Sequence, residues 1–329
     1  MDWSGRKVLV TGAGGFIGSH LAEALALRGA NVRAFVHYNS RGSVGNLIHV
    51  APSVLTAIEV VSGDLRDPEG VRRATLGVDT VFHLGALIAI PYSYLNPRSV
   101  LETNALGTLN VLEAARSESV RRVIHASTSE IYGTARYTPI DEAHPLHGQS
   151  PYAASKIGAD AMVEAFHRSF GLPAVRIRPF NTYGPRQSAR AVIPTIIVQA
   201  LHSDILKLGR LTPKRDFTFV DDTVRGFVLA AESSDLLGED LNLGSGEAVS
   251  IGELVRYVLT EVGRQPLVVL DQQRVRPEGS EVMELVASNR KAAQLIDWHP
   301  RVTLAKGLAL TVAWVRRNFD RYRLDDYSI

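Results

Sequence analysis

The sequence predicts an α/β fold, in which a doubly wound parallel sheet is followed by a smaller C-terminal α/β lobe. In the first half, short β-rich apolar runs alternate with longer segments of helical periodicity, the pattern of repeated βαβ units. After Asn181 the pattern changes to Gly, Pro and short mixed elements. With 329 residues and 45% hydrophobic content, the chain can bury such a core. We place a boundary near residue 180, with 1–180 carrying the sheet and 181–329 the lobe, and expect strands or helices to be exchanged between them.

The predicted elements follow in chain order from hydrophobic periodicity. Six strands are predicted in the first half: Lys7–Thr11, Asn31–His37, Ala57–Ser62, Thr80–His83, Arg122–Ala126 and Ala174–Arg178. Helices are predicted over Ile17–Arg28, Pro97–Ser117 and Pro151–Phe170, and later near Ile193–His202, Asp222–Ala231, Gly252–Val262 and Leu304–Arg317. The stretch Gly133–Ser150 has no clear period and is predicted to be a surface loop near the site.

Composition excludes several classes of function. The 36 basic and 34 acidic residues leave a charge of +2, which gives no support to nucleic-acid or membrane binding. Cysteine is absent, which excludes disulfides, thiolate catalysis and cysteine-bound zinc. No apolar run approaches the roughly 20 residues of a membrane span, and the N-terminus lacks a signal-peptide core. His144 and His147 lie in a proline-broken loop, so no metal site is predicted. We expect a cytoplasmic protein.

A glycine-rich turn follows the first strand. Gly12 allows the tight turn, Gly15 allows the backbone to approach a pyrophosphate, and Gly18 allows the helix to pack closely on the strand. Phe16 and Ile17 begin the helix, whose free N–H groups and positive dipole end would face the phosphates. This strand–turn–helix context predicts a Rossmann dinucleotide site.

The residues expected to contact the adenosine ribose are unusual for an NAD site. An NAD site usually carries Asp or Glu about 20 residues past the glycines. This chain has His37, Asn39, Ser40 and Arg41 in that region, with no acid. Asn39 or Ser40 would bond a 2′-hydroxyl, whereas Arg41 would suit a 2′-phosphate. NAD is our first prediction and NADP the alternative, and Asp64 after the third strand suits a contact with the adenine edge.

Tyr152 and Lys156 are four residues apart in a helical segment and therefore share one face. A tyrosine with its usual pKa of about 10 is a poor base at neutral pH. A lysine ammonium one turn away, together with a positive nicotinamide ring, would favour the phenolate and lower that pKa. We predict that this pair is catalytic.

From Val8 to about Arg317, the chain resembles the extended short-chain dehydrogenase/reductase family, in its nucleotide-sugar branch. The motifs that carry the resemblance are TGAGGFIG at Thr11–Gly18, GDL at Gly63–Leu65, HLGA at His83–Ala86, TN at Thr103–Asn104, STSEIYG at Ser127–Gly133, the Tyr152/Lys156 pair, RPFNTYGPRQ at Arg178–Gln187 and RDFTFVDD at Arg215–Asp222. The resemblance to this family also implies a homodimer, formed through the helices predicted at Pro97–Ser117 and Pro151–Phe170.

The same resemblance implies roles for individual residues. Tyr152 would take the sugar hydroxyl proton, Thr128 would bond near the sugar O4, and Lys156 would orient the nicotinamide ribose. The further cofactor contacts would be Leu65, Leu84, Ala86 and Asn104. Asn181, Arg215 and Arg276 would hold the substrate diphosphate, since planar guanidinium groups match phosphate oxygens. The walls of the sugar and nucleotide pockets would include Ile88, Tyr92 and Val192.

The triplet Thr128-Ser129-Glu130 discriminates between reactions. Epimerases of this branch usually have a small residue in place of Glu130, whereas a glutamate resembles the 4,6-dehydratases. Oxidation at C4 of the sugar makes the C5 proton acidic, a base removes it, the C6 hydroxyl leaves, and a hydride returns to C6. Ser129 replaces the aspartate of dTDP-glucose dehydratases and resembles the GDP-mannose enzymes. We therefore assign Glu130 both C5 proton removal and C6 hydroxyl protonation, directly or through water.

Other functions remain open from the sequence. UDP-glucuronate decarboxylases carry a similar triplet, although Asp216 resembles dehydratases and epimerases. A UDP-sugar 4-epimerase comes third, because of Glu130, and a non-enzymatic dinucleotide-binding regulator is disfavoured by the intact Tyr152/Lys156 pair. Several stretches resemble the dehydratase of the legionaminic-acid pathway: 37–43, 87–97, 141–160 and 181–197. The preferred substrate is therefore UDP- or GDP-linked N-acetylglucosamine.

Overall fold

The computed structural model describes residues 2–322 and places a seven-stranded parallel sheet at the centre of the molecule. The strands in chain order are β1 (Lys7–Thr11), β2 (Asn31–His37), β3 (Ile58–Gly63), β4 (Thr80–His83), β5 (Arg122–Ala126), β6 (Ala174–Pro179), β7 (Thr182–Tyr183), β8 (Ile205–Leu208), β9 (Lys214–Asp216), β10 (Thr218–Phe219), β11 (Asp240–Leu243), β12 (Ala248–Ser250), β13 (Leu267–Leu270) and β14 (Glu284–Leu285). The order across the central sheet is β11-β6-β5-β4-β1-β2-β3. This confirms the predicted fold class, and the six predicted strands agree with the structure to within one residue at each end.

Helices cover both faces of this sheet. They are α1 (Phe16–Leu27), α2 (Pro52–Leu55), α3 (Pro68–Thr75), α4 (Ile90–Leu95), α5 (Pro97–Leu101), α6 (Gly107–Ser117), α7 (Pro151–Phe170), α8 (Val192–His202), α9 (Val220–Glu232), α10 (Ile251–Val262), α11 (Arg290–Ile296) and α12 (Leu304–Arg317). One face carries α1 packed on α9, and the other carries α3, α6 and α7. Within residues 2–322, no helix is both long enough and apolar enough to span a bilayer.

The helix predicted over Pro97–Ser117 is interrupted in its middle. A π-helical turn over Glu102–Leu106 separates α5 from α6. Asn104 in this turn is 1% exposed, and its amide group accepts a hydrogen bond from the Leu87 nitrogen (2.7 Å) and donates one to the Leu87 oxygen (2.9 Å). The turn therefore presents an amide that fixes the loop after β4, which helical periodicity alone does not encode.

The local sequence fixes both ends of α7. The Ser150 hydroxyl accepts a hydrogen bond from the Ala153 nitrogen (3.1 Å), Pro151 occupies the first turn, and Gly171 ends the helix in the left-handed conformation. Tyr152 and Lys156 lie on its buried face. This face packs against the end of β5, so the first turns of α7 reach the carboxyl edge of the sheet.

The C-terminal lobe is joined to the sheet rather than tethered to it. Its strand β11 pairs with β6 along the whole of Asp240–Leu243. Arg186, after β7, donates from Nη2 to the Glu23 carboxylate of α1 (2.6 Å). A separate small sheet of β12, β9 and β14 carries Arg215. The lobe therefore closes one side of the region where the central strands end.

Candidate active site

A cleft of about 900 Å³ opens at the carboxyl ends of the central strands. Its lining includes the glycine-rich turn after β1, the residues after β4 and β5, the first turns of α7, and the segment after β6. Ligands of doubly wound sheets bind at this edge, where the strand order reverses. The cleft is therefore the site at which most of the predicted residues can be located.

The dinucleotide end of the cleft is shaped by glycines. Gly12 has φ of +70°, and a Cβ there would lie 2.8 Å from the backbone of Gly85. A Cβ on Gly18 would lie 2.2 Å from the Gly12 oxygen. Gly15 begins α1 without a side-chain cap, and Phe16 and Ile17 line the cleft beside it. The turn thus offers an open backbone cradle of the kind that fits a dinucleotide pyrophosphate.

The residues after β2 divide into two groups. His37 and Asn39 line the cleft, whereas Ser40 and Arg41 are not part of its lining and Arg41 is exposed. The Asn39 side chain accepts a hydrogen bond from the Ser43 nitrogen (2.9 Å) and donates one to the Ser43 oxygen (2.8 Å). Asn39 therefore shapes its own loop, and its amide is already engaged by that loop.

This loop brings three lining residues that the sequence analysis did not identify: Ser43, Val44 and Gly45. The Asn46 nitrogen donates to the Gly14 oxygen (2.9 Å). Gly45 has φ of +64°, and a Cβ there would lie 2.3 Å from the same oxygen. The loop can therefore contact the glycine-rich turn only because residue 45 is a glycine. No local sequence motif predicts this long-range contact.

The residues after β3 and β4 lie along the floor of the cleft. Asp64, Leu65, Leu84 and Ala86 all line it, as predicted. Arg66, which was not predicted, lines it too and contacts the Asp64 carboxylate at 2.6 Å. This hydrogen bond holds the pKa of Asp64 below its usual value, against the effect of partial burial. Asn104, in contrast, is outside the lining and acts on the cleft through Leu87.

The five predicted catalytic residues meet in this cleft: Thr128, Ser129, Glu130, Tyr152 and Lys156. Thr128 begins the short 3₁₀ turn Ser129–Tyr132, and its Oγ1 accepts a hydrogen bond from the Glu130 nitrogen (3.2 Å). The Thr128 hydroxyl also lies close enough to the Tyr152 phenol to lower its pKa. The structure therefore brings a phenol, a hydroxyl and a carboxylate from two distant segments into one pocket.

The electrostatics of the pair differ from the sequence-based expectation. Tyr152 is 7% exposed, and burial raises its pKa above the usual value, with Glu130 and Asp160 adding to the effect and the Thr128 hydroxyl opposing it. Lys156 donates to the Ala126 oxygen (2.7 Å), and burial lowers the pKa of its amine to about 8. Burial and the neighbouring carboxylates thus act in the same direction on the phenol, and the pKa of Tyr152 is raised in the protein without cofactor.

Two arginines lie near the Glu130 carboxylate. Arg276 Nη1 is 3.8 Å from Glu130 Oε2, and Arg215 Nη2 is 3.5 Å from Glu281 Oε1. Burial lowers the pKa of Arg215, and the Glu130 charge opposes that effect. Neither arginine is part of the cleft lining, whereas Asn181 is. The three residues predicted to hold a diphosphate therefore border the same end of the cleft.

The predicted walls are present in part. Ile88 and Tyr92 line the cleft, but Val192, the first residue of α8, does not. Ser127 and Gln187 also line it and were not predicted as site residues. The Ser127 Oγ and the Gln187 Oε1 are buried without a protein partner, so both are polar atoms that a bound ligand would satisfy.

The sequence matches the family described as GDP-mannose 4,6 dehydratase over residues 9–311. The chain belongs to that family. It is accordingly an extended short-chain dehydrogenase/reductase, with the dehydratase-type domain spanning nearly all of the residues that form the sheet, the cleft and the lobe.

Dehydratases and epimerases of nucleotide sugars are similar to this chain over almost their full length. A dTDP-glucose 4,6-dehydratase of Actinoplanes sp. is 33% identical over 318 residues, covering 95% of this chain and 98% of the relative. A UDP-glucose 4-epimerase of Mycolicibacterium smegmatis is also 33% identical, covering 94% and 98%. The chain is therefore an enzyme of the nucleotide-sugar dehydratase/epimerase group, and sequence similarity alone does not choose between the two reactions.

The solved structures agree with this family. DesIV, a dTDP-glucose 4,6-dehydratase from Streptomyces venezuelae, matches with a TM-score of 0.85 at 31% identity, covering 96% of this chain and 98% of DesIV. That structure contains NAD, as do other similar structures of dehydratases and epimerases. The neighbours in this family thus carry the cofactor that was our first prediction.

Proposed function

We propose that this protein is a nucleotide-sugar 4,6-dehydratase that converts UDP- or GDP-linked N-acetylglucosamine into its 4-keto-6-deoxy derivative. One observation carries the proposal: the Glu130 carboxylate lies in the same cleft as the Tyr152 phenol, beside the Thr128 hydroxyl. A 4-epimerase acts at the sugar C4 alone, and for that reaction the Tyr152 phenol and the Thr128 hydroxyl are sufficient. A carboxylate next to them supplies the base that removal of the C5 proton requires.

NAD is the cofactor that the cleft fits. The backbone cradle of Gly12, Gly15 and Gly18 would hold its pyrophosphate, and the buried Lys156 ammonium would face the nicotinamide ribose. Arg41, the residue that suits a 2′-phosphate, is outside the lining, which favours NAD over NADP. When bound, NAD supplies the acceptor for the C4 hydride and, later in the cycle, the donor for C6.

The residues of this chain then carry out the proton transfers. Tyr152 takes the proton of the C4 hydroxyl, and the nearby Thr128 hydroxyl favours the phenolate by lowering the pKa of the phenol. The C4 ketone makes the C5 proton acidic, and Glu130 removes it. Glu130 then returns a proton to the C6 hydroxyl, which leaves as water, directly or through a relay at Ser129. C5 then takes up one proton from water, and Tyr152 releases to water the proton that it took from the C4 hydroxyl. The net change is therefore the loss of one water from the sugar, with no net oxidation.

The arginines support a diphosphate-linked substrate. Arg215 and Arg276 border the sugar end together with Asn181, and both guanidinium groups face carboxylates at 3.5 and 3.8 Å in the protein. We assign them to the substrate diphosphate, whose oxygens offer shorter, bidentate geometry than these ion pairs. Binding of the diphosphate would draw Arg276 away from Glu130 and leave that carboxylate free to act as a base.

The test is incubation of the purified protein with separate nucleotide sugars, followed by mass analysis of the products. UDP-N-acetylglucosamine, GDP-N-acetylglucosamine, GDP-mannose, dTDP-glucose and UDP-glucuronate form the panel. Loss of water from an N-acetylglucosamine nucleotide supports the proposal. Loss of carbon dioxide from UDP-glucuronate identifies a decarboxylase, and an isomer of unchanged mass identifies a 4-epimerase, so either result overturns it.

We also propose that the protein acts as a homodimer through α5, α6 and α7. Leu101 at the end of α5 and Leu106 in the π-helical turn are each 52% exposed, which leaves apolar surface on the face that such a dimer would bury. Sedimentation equilibrium of the full chain tests this: a monomer at micromolar concentration would exclude it.

A further inference from the structure

A buried polar cluster behind the catalytic pair is not used by the reaction proposed above. It contains His125 at the end of β5, Asp160 on α7 and Arg178 on β6, which are 0%, 3% and 3% exposed. Asp160 follows Lys156 by four residues, as Lys156 follows Tyr152, so the three side chains lie on successive turns of one helix face. Buried charged groups of this kind are retained only when they are paired.

The His125 ring lies between the lysine and the aspartate. Its Nε2 is 3.3 Å from Lys156 Nζ and 3.5 Å from Asp160 Oδ1. Burial, with the Lys156 charge in addition, lowers the pKa of His125 to about 4, so the ring is neutral at neutral pH. Nε2 of a neutral ring can hydrogen-bond to only one of the two groups, and within the described residues Asp160 Oδ1 has no hydrogen-bond partner. The ring therefore lies between the two groups and supplies no charge to balance the buried ammonium.

Asp160 is the carboxylate that can balance it. Burial alone would raise the pKa of Asp160, but contact with His125 and the charges of Arg178 and Lys156 outweigh burial and keep it ionised. Arg178 is shared between Asp160 Oδ2 at 3.3 Å and Asp240 Oδ2 at 2.9 Å. Because Asp240 takes part of the arginine charge and is paired with Arg176 as well, Asp160 retains negative charge for the lysine.

We propose that Asp160 is a positioning residue for Lys156, whose buried carboxylate, acting across the neutral His125 ring, holds the lysine in its ammonium form on the cofactor side of the cleft. This rests on the proposed function only for the role of Lys156 towards the nicotinamide ribose. Burial already lowers the pKa of Lys156 to about 8, and Asp160 is the charge that opposes further lowering. Without Asp160, the pKa of the lysine would fall further and a larger fraction of the amine would be neutral near neutral pH.

The titratable groups that face Lys156 come from several elements. Tyr152 and Asp160 lie on α7, His125 on β5 and His83 on β4. Burial holds the pKa of His83 well below its usual value, and its ring nitrogens contact Thr11 at 2.7 Å and Thr108 at 2.9 Å. His83 is therefore neutral and satisfied elsewhere, which leaves Asp160 as the anion among these groups.

The experiment is competitive acetylation of the cofactor-free protein with acetic anhydride across a pH series, read by peptide mass spectrometry. Only neutral amines react, so the labelling midpoint of Lys156 reports its pKa, with the other lysines as internal references. Asp160→Asn is expected to lower that midpoint by about one pH unit, because an opposite charge is lost from a buried ammonium. Asp240→Asn is the comparison variant: it removes the other carboxylate on Arg178 and leaves Asp160 in place, so it should lower the midpoint clearly less than Asp160→Asn does.

Substitutions of the bridging ring keep the proposal testable if Asp160→Asn does not fold. His125→Leu removes the polar link and is expected to lower the midpoint, whereas His125→Gln retains polar atoms between Lys156 and Asp160 and should restore most of it. An unchanged Lys156 midpoint in Asp160→Asn, or an equal shift in Asp240→Asn, would overturn the proposal. Since labelling uses neither sugar nucleotide nor turnover, a failure of the proposed reaction would leave this result intact.

A second measurement separates positioning from mere structural support. In turnover with a substrate of the wild-type enzyme, Asp160→Asn should move the alkaline limb of kcat to lower pH, because Lys156 loses its proton earlier. The KM for the nucleotide sugar should stay near the wild-type value. A uniform loss of kcat with an unmoved pH limb would show that Asp160 serves stability alone.

Discussion

The two ends of the cleft are formed by different chemical groups, backbone at the cofactor end and charged side chains at the sugar end. At the cofactor end, the glycine-rich turn exposes backbone, and neighbouring backbone atoms leave no room for a Cβ on Gly12 or Gly18. At the sugar end, Glu130, Arg215 and Arg276 come from segments far apart in the chain and face one another as charges. Steric exclusion therefore determines the shape of the cofactor end, and the balance of opposite charges determines the arrangement of side chains at the sugar end.

This contrast explains why the family shares a cofactor and differs in reaction. A backbone cradle changes little when the sequence changes, provided that the glycines remain. A charged end can be altered by one substitution: under the proposed mechanism, removing the carboxylate beside Tyr152 would prevent removal of the C5 proton. Substitutions should therefore damage the first end through cofactor binding and the second end through the identity or rate of the product.

The largest effect is expected at the phenol that serves both ends. Tyr152→Phe removes the group that accepts the C4 proton and should lower kcat by about 10³-fold or more, within the range of general acid–base catalysis. NAD affinity, measured by calorimetry, should change less than about threefold because the cradle is untouched. Turnover near the wild-type rate would contradict the assignment of Tyr152 as the base.

A change at the sugar end should separate the two chemical steps. Glu130→Gln keeps the shape of the side chain but cannot accept the C5 proton, so release of the 4-keto-6-deoxy product should fall by about 10²-fold or more. Oxidation at C4 should survive and appear as absorbance of reduced nicotinamide that accumulates on the enzyme. Normal product release by this variant would exclude the elimination step proposed for Glu130.

A change at the cofactor end should act through shape. Gly18→Ala places a Cβ 2.2 Å from the Gly12 oxygen, and the forced shift should cost about 1–3 kcal/mol of unfolding free energy. NAD affinity should fall at least about tenfold, which corresponds to 1.4 kcal/mol. Gly279→Ala is the control, because a Cβ there meets no atom within 4 Å. Equal NAD affinity in the two variants would show that the turn is not the cradle.

The smallest effect is expected at a side chain that borders the site. Arg276→Gln removes one guanidinium from the diphosphate end and should raise the KM for the nucleotide sugar by about tenfold, in line with one charged hydrogen bond. NAD affinity should not change, since Arg276 is outside the cofactor end. A loss of NAD affinity without a change in the KM for the nucleotide sugar would show that Arg276 serves the cofactor and not the substrate.

The sequence predicted the local motifs well and the long-range contacts poorly. The glycine turn and the Tyr152/Lys156 pair depend on residues near in sequence, and helix or turn geometry places them without knowledge of the rest. The contact between Gly45 and Gly14, and that between Arg276 and Glu130, join segments that are adjacent only after folding. No periodicity or spacing in the chain records them.

Asn104 and Tyr152 show a second reason for the difference. Asn104 was assigned to the cofactor, but its amide is satisfied by the Leu87 backbone, a choice that depends on where the loop after β4 lies. The pKa of Tyr152 was expected to fall beside a lysine and a positive nicotinamide ring, whereas burial raises it in the protein without cofactor. Both outcomes depend on desolvation and partner availability, which are properties of the packed structure.

The pairing of β11 with β6 makes the boundary near residue 180 unsuitable as a place to divide the chain. A fragment ending there would retain the glycine turn, Tyr152 and Lys156, but its sheet would stop at β6, whose residues Ala174–Arg178 are buried throughout. An unpaired strand edge of this kind promotes association between molecules. Such a fragment would aggregate before its NAD binding could be assayed, so the smallest unit that can carry the chemistry includes the strand contributed by the second half.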